Sequence, residues 1–139
     1  MTASTPHDEK ELARLPVVRI QDVLLSRMVV REEAARLGFA PQALTQIATA
    51  VSEMTRNVVQ HAGQGGYIRI LEIATAGRRG LKVSVEDAGA GIADIDRALA
   101  GAAPGAGIPG CRRLMDEFAI VSTVGKGTAV TMLKWLPNT

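Results

Sequence analysis

Residues 40–63 read "APQALTQIATAVSEMTRNVVQHAG". Leu44, Ile47, Val51, Met54, Val58 and Ala62 recur at intervals of three or four. At about 100° per residue, that spacing lays them along one face of a helix. Pro41 suits the first turn and Gly63 suits the position past the last. His61 ends the helix, where a cation suits the dipole. A long, one-sided helix needs an apolar surface to lie on, and the rest of the chain supplies one.

Downstream, "LKVSVED" (81–87) alternates, with Leu81, Val83 and Val85 on one side and Lys82, Ser84 and Glu86 on the other. That is the pattern of a half-buried antiparallel strand. "YIRILEIATA" (67–76), "FAIVSTV" (118–124) and "GTAVTMLKW" (127–135) read as strands too. Hairpin loops are expected at "GRRG" (77–80) and "GKG" (125–127). "PVVRIQ" (16–21) reads as an edge strand. Asp22 is expected to cap a helix running to Gly38, with Val23, Met28, Val30, Ala34 and Leu37 inward. "IADIDRALAG" (92–101) and "IPGCRRLMDEF" (108–118) read as two further short helices. The predicted fold is α+β: a two-layer sandwich with a mixed, mostly antiparallel sheet covered on one face by helices. Residues 1–14 are expected to be a flexible tail and residues 15–137 a single domain.

Composition narrows the function classes. Hydrophobic residues make up 47% of the 139, but aromatics only 3%, so the core must be aliphatic. The net charge of +2 is scattered, and four aromatic residues cannot supply stacking platforms, which argues against a nucleic-acid binder. No apolar run reaches the roughly 18–20 residues of a membrane span, so no membrane insertion is expected. Cys111 is the only cysteine, which suits a reducing cytoplasm.

Four short motifs stand out. Glu53 and Asn57 are four apart on the long helix, off its apolar stripe, with Gln46 and Gln60 on the same polar side. They read either as a solvated face or as a general base beside an oxygen ligand for a hard cation. Asp87 closes a strand ahead of Gly89 and Gly91. It reads as a turn former, or as a carboxylate at the floor of a pocket where a flat heterocycle lies against bare backbone. Gly105, Gly107 and Gly110 form G-x-G-x-x-G, but no strand precedes them directly, so the dinucleotide fold is excluded. The P-loop pattern is absent. The glycines still run into a helix whose free N–H groups attract phosphate. "GKGT" (125–128) is a hairpin turn that also offers Lys126 and the Thr128 hydroxyl. Taken in order, these are the parts of an ATP site. Cys111, in the first turn of its helix, reads as packing or as a redox-sensitive thiol. Arg56 reads as a surface ion-pair member or a phosphate contact. Trp135 reads as packed on the sheet or facing a partner.

"VSEMTRNVVQHAG", "LKVSVEDAGAGIADI", "GAGIPGCRRLMDEF" and the closing "KWL" resemble the GHKL ATPase superfamily, and within it the RsbT-type serine/threonine kinases of the bacterial stressosome. The resemblance implies a Bergerat ATP-binding fold that uses ATP and Mg²⁺. It implies phosphorylation of serine or threonine on a STAS-domain protein, with a downstream phosphatase or cyclase regulator as a further partner. Glu53 would be the catalytic base and Asn57 the metal ligand. Asp87, Gly89, Gly91 and Thr128 would surround the adenine, and Gly105, Gly107 and Gly110 would cradle phosphate. The segment between Gly91 and Gly105 is short and apolar for such a lid. A non-catalytic nucleotide-dependent partner switch, or a direct anti-sigma factor, is therefore the alternative expectation.

Overall fold

The computed structural model describes residues 8–61, 63–89 and 108–137. In chain order these form β1 (Asp8–Val17), α1 (Ile20–Leu37), α2 (Pro41–His61), β2 (Gly66–Thr75), β3 (Arg78–Asp87), α3 (Ile108–Leu114), β4 (Glu117–Thr123) and β5 (Gly127–Trp135). The strands form one sheet in the order β1-β2-β3-β5-β4, and all four pairings are antiparallel. The helix expected over residues 92–101 lies outside the described residues.

The alternation read in β3 decides which sheet face is covered. Leu81, Val83 and Val85 join Ile68, Ile70, Val130, Met132 and Val17 in one core with the inner faces of the helices. From α2 that core takes Ile47, Val51, Met54 and Val58 of the stripe seen in the sequence, with Ala50 beside them and Leu44 packed partly buried against it. The other sheet face is mixed: the register puts the apolar Leu71, Ile73 and Leu133 there beside polar residues. It carries cross-strand pairs such as Arg69–Glu11 at 2.7 Å and Lys82–Glu9 at 2.6 Å. Tyr67 donates to Glu86 across β2–β3 at 2.8 Å. Trp135 belongs to this open face: its indole N–H donates to Glu117, and Arg78 lies 4.4 Å from its ring centroid.

Several boundaries differ from expectation. The sheet takes in residues 8–14, which were expected to be tail, because β1 begins at Asp8 and pairs along β2. Its run "DEKELAR" shows no apolar alternation, but its acids meet Arg69 and Lys82 from neighbouring strands. β1 ends at Val17, so Ile20 and Gln21 are helical rather than extended. Asp22 is not the cap itself. It sits in the first turn of α1 and reaches back to accept from the backbone N–H groups of Val18 and Arg19, each at 2.9 Å. Those two bonds hold its carboxyl below the usual carboxylate range. Met28 is 66% exposed, because the inward arc of α1 runs through Val23, Ser26, Val30 and Ala34. The β2–β3 turn is tighter than "GRRG", since Arg78, Arg79 and Gly80 already pair in β3. α3 stops at Leu114, so "RLMDEF" spans a helix end and the start of β4.

Ser26 is fully buried on α1, and its hydroxyl has no hydrogen-bond partner among the described residues. A buried, unsatisfied hydroxyl costs roughly 1–3 kcal/mol. Ser26→Ala is therefore expected to stabilise the fold by about 1 kcal/mol, read as a higher urea midpoint at unchanged slope. A lower midpoint would mean that the hydroxyl is satisfied in solution.

Candidate functional site

The candidate site residues Asp87 and Thr128 come together at one end of the sheet, where β3 ends beside the start of β5. Asp87, the last residue of β3, pairs with Gly66 of β2 on one side and with Thr128 of β5 on the other. Alternation places Asp87 and Thr128 on the same sheet face as Val85 and Val130, the face under the helices. The Asp87 carboxylate is half-buried, and its Oδ1 accepts from the Gly89 N–H at 2.9 Å. This local bond to a backbone two residues on is an Asx turn, and it fixes how the carboxylate leaves the strand. Oδ2 has no partner among the described residues. Gly89 itself is buried.

Close backbone approach shapes this corner from both sides. A Cβ on Gly66 would run into the Glu86 carbonyl oxygen, and a Cβ on Gly127 would run into the Asp87 carbonyl oxygen. The β4–β5 turn closes with the Lys126 N–H donating to the Thr123 carbonyl at 2.9 Å, and Gly125 takes the positive φ that the turn requires. Beyond it, the Ser122 hydroxyl lies 2.8 Å from the Thr128 hydroxyl and donates to the Gly127 carbonyl at 3.2 Å. The sequence reading missed Gly66, Gly127 as a point of strand contact, and Ser122. Only the S-x-x-G-x-G-T spacing of residues 122–128 could have hinted at the last two.

Glu53 and Asn57 both lie half-buried on α2, outside its apolar stripe. Arg56 pairs with Glu53 at 3.1 Å, as the ion-pair reading of that arginine expected. α2 packs against β3 and against α3. The α3 contact is specific: Cys111 Sγ lies 3.6 Å from the Ala50 carbonyl, and the Glu53 charge is felt at the thiol. The helix that follows the second glycine motif thus rests against α2 within one turn of Glu53. Gly110 in α3 has open space where a Cβ would stand. Gly91, Gly105 and Gly107 lie outside the described residues.

Cys111 itself is structural. Burial, with the Glu53 carboxylate as a smaller cause, pushes its thiol up to about 12. A thiol so raised has almost no thiolate near neutral pH and is a poor nucleophile. The redox-sensitive alternative is corrected accordingly. Iodoacetamide at about pH 8 is expected to leave the folded protein unmodified and to alkylate Cys111 only in denaturant. Rapid alkylation of the native protein would show that α3 opens readily.

Among the described residues no three His, Cys, Asp or Glu side chains converge on a metal site. The oxygen donors on α2, one amide and one carboxylate, suit a hard cation that keeps waters and phosphate oxygens as its other ligands. Among those residues, too, no helix is long and apolar enough to cross a membrane.

The family model for the histidine kinase-like ATPase domain matches residues 18–134. The chain belongs to that family, in its RsbT-type serine/threonine-protein kinase branch. It is 41% identical over 120 residues to the serine/threonine-protein kinase RsbT of Bacillus subtilis (strain 168), covering 83% of this chain and 90% of that one. It is 36% identical over 126 residues to the anti-sigma F factor of Thermoanaerobacter sp. (strain X514), covering 84% and 87% respectively. Among solved structures, the RsbU and RsbW domains of a Mycobacterium tuberculosis protein share the fold, with a TM-score of 0.60 at 22% identity. That match takes in 97% of this chain and 34% of the other.

Proposed function

We infer that the protein is an ATP-dependent serine/threonine-protein kinase that acts as a partner switch, and that its acceptor is a STAS-domain protein. The observation that carries the reading is the Asp87–Thr128 pair at the helix-covered end of the sheet, in a chain 41% identical to RsbT. One Asp87 carboxylate oxygen, which has no partner among the described residues, would accept from an amino group of the base. Gly89 keeps the backbone bare beside it. Thr128 adds a hydroxyl from the neighbouring strand.

Asn57 would hold Mg²⁺, and Gly110, with Gly91, Gly105 and Gly107, would line the nucleotide. Mg²⁺ supplies charge neutralisation on the phosphates. Glu53 accepts the proton of the acceptor hydroxyl as that oxygen attacks, which requires its carboxylate to be free of Arg56. A half-exposed, solvent-screened i,i+3 pair of this kind is worth about 1 kcal/mol or less, so substrate can displace it. The kinase works in the cytoplasm in this reading, releasing the phosphorylated partner and engaging a downstream regulator.

The likeness to an anti-sigma F factor favours a second reading, in which the same domain binds a sigma subunit directly. Labelled ATP, Mg²⁺ and a purified STAS-domain protein separate the two. Label on a serine or threonine of that protein is the expected result. Nucleotide binding with no label on protein or in released phosphate would reject the kinase.

A further inference from the structure

Among the described residues, seven large hydrophobic side chains are exposed, and five of them fall between residues 18 and 28. Ile20, Leu24 and Met28 recur every fourth residue of α1, so they form one stripe along the helix. They are 54%, 60% and 66% exposed. The buried arc of α1 is a different one, through Val23, Ser26, Val30 and Ala34. The helix therefore carries two apolar arcs, and only one of them meets the core. Single exposed hydrophobic residues are ordinary, but a run of them on one face marks a surface that another molecule covers.

The charges beside the stripe say what kind of molecule. Arg27 and Arg31 lie three and seven residues past Leu24, so they border it one turn apart. Both are exposed, and neither has an ion-pair or hydrogen-bond partner among the described residues. Arg36 differs, since it pairs with Glu33 elsewhere on the helix. A second copy laid antiparallel about Leu24 would set Arg27 opposite Gln21. It would set Arg31 by the start of the other α1, where the dipole repels a cation. Neither arginine would gain a carboxylate. An anionic membrane fits no better: the stripe has no aromatic residue, and Glu32, exposed one turn past Met28, would face the lipid charge. What complements the two arginines is a pair of carboxylates one turn apart on another helix.

We propose that the outer face of α1 is a docking surface for an amphipathic helix of a partner protein. The apolar stripe of that helix covers Ile20, Leu24 and Met28, and its carboxylates pair with Arg27 and Arg31. This goes beyond the kinase reading, because it names a surface and the chemistry of its partner, and it holds whether or not phosphate is transferred. The surface starts at the end of the sheet that carries the candidate site: Val17 pairs with Gly66, and Gly66 with Asp87.

The test titrates the full chain into two fluorescein-labelled helical peptides and follows anisotropy. Both peptides carry the same leucine stripe; one is flanked by glutamates and the other by lysines at the same positions. The glutamate peptide is expected to bind at least about tenfold more tightly than the lysine peptide, and less tightly as salt is raised. Leu24→Ser should weaken it about tenfold. Arg27→Glu combined with Arg31→Glu should reverse the order of the two peptides. These positions are exposed, so the thermal midpoint should hold; if Leu24→Ser does not fold, Leu24→Ala replaces it. Binding of neither peptide, equal binding of both, or binding that survives both sets of substitutions would overturn the proposal. So would a dimer in sedimentation that Leu24→Ser disperses, which would give the face to a second copy. Tighter binding to phosphatidylserine–phosphatidylcholine vesicles than to the glutamate peptide would give it to a membrane and overturn the proposal too.

Discussion

Gly127→Ala is expected to destabilise the protein by roughly 3 kcal/mol or more, through two penalties that add. The residue has φ of 109°, which costs an L side chain about 1–2 kcal/mol. The added Cβ also meets the Asp87 carbonyl oxygen, with the Asp87 carbonyl carbon and the Ala88 Cα at 2.9 Å. These are backbone atoms of a paired strand and cannot swing aside. Gly125→Ala is the control. It shares the positive φ, at 83°, but has open space around the new Cβ, so about 1 kcal/mol is expected. Against a total stability of roughly 5–15 kcal/mol, the first change threatens folding and the second does not. Urea midpoints of the two variants check the ranking. Equal losses would mean that strand approach is not what demands glycine at position 127. Since Asp87 carries the clashing carbonyl, whatever Gly127→Ala protein folds should also lose ADP affinity.

That corner also shows what one sequence can and cannot reveal. The α2 stripe and the β3 alternation are local patterns, and they fixed the helix, the strand and the covered face. The shared helix face of Glu53 and Asn57 was legible for the same reason, since a four-residue spacing already defines it. Asp87 and Thr128 are 41 residues apart, and what unites them is a β3–β5 pairing that no local periodicity announces. The resemblance to a family, not the spacing, put them in one site. β1 was misread at residues 8–14 because its charges look like a solvated tail until Arg69 and Lys82 arrive from other strands. Met28 was misread because rough apolar spacing did not separate the buried arc of α1 from its exposed one. The sequence reading sought bare backbone in the loops around 91 and 105–110. Among the described residues, Gly65, Gly66, Gly80 and Gly127 are where the backbone of another strand lies too close for a Cβ.

Glu53→Gln is expected to slow phosphoryl transfer by about 100- to 10,000-fold, the usual worth of a positioned general base, while nucleotide affinity changes little. The argument turns on where Glu53 stands. Its side chain is 38% exposed and outside the apolar stripe, and its ion pair with Arg56 contributes little to stability. The amide keeps the shape and removes the ability to take a proton, so the urea midpoint should stay within about 0.5 kcal/mol of wild type. Asn57→Ala, one turn on, should fail differently. It too lies off the core, so the protein should fold, but binding of ADP should lose its dependence on Mg²⁺ as the amide oxygen disappears. Single-turnover transfer to the STAS-domain partner, and ADP titrations with and without Mg²⁺, separate a lost base from a lost ligand. Transfer by Glu53→Gln within a few-fold of wild type would remove Glu53 from the chemistry. Unaltered Mg²⁺ dependence in Asn57→Ala would move the cation to other oxygens.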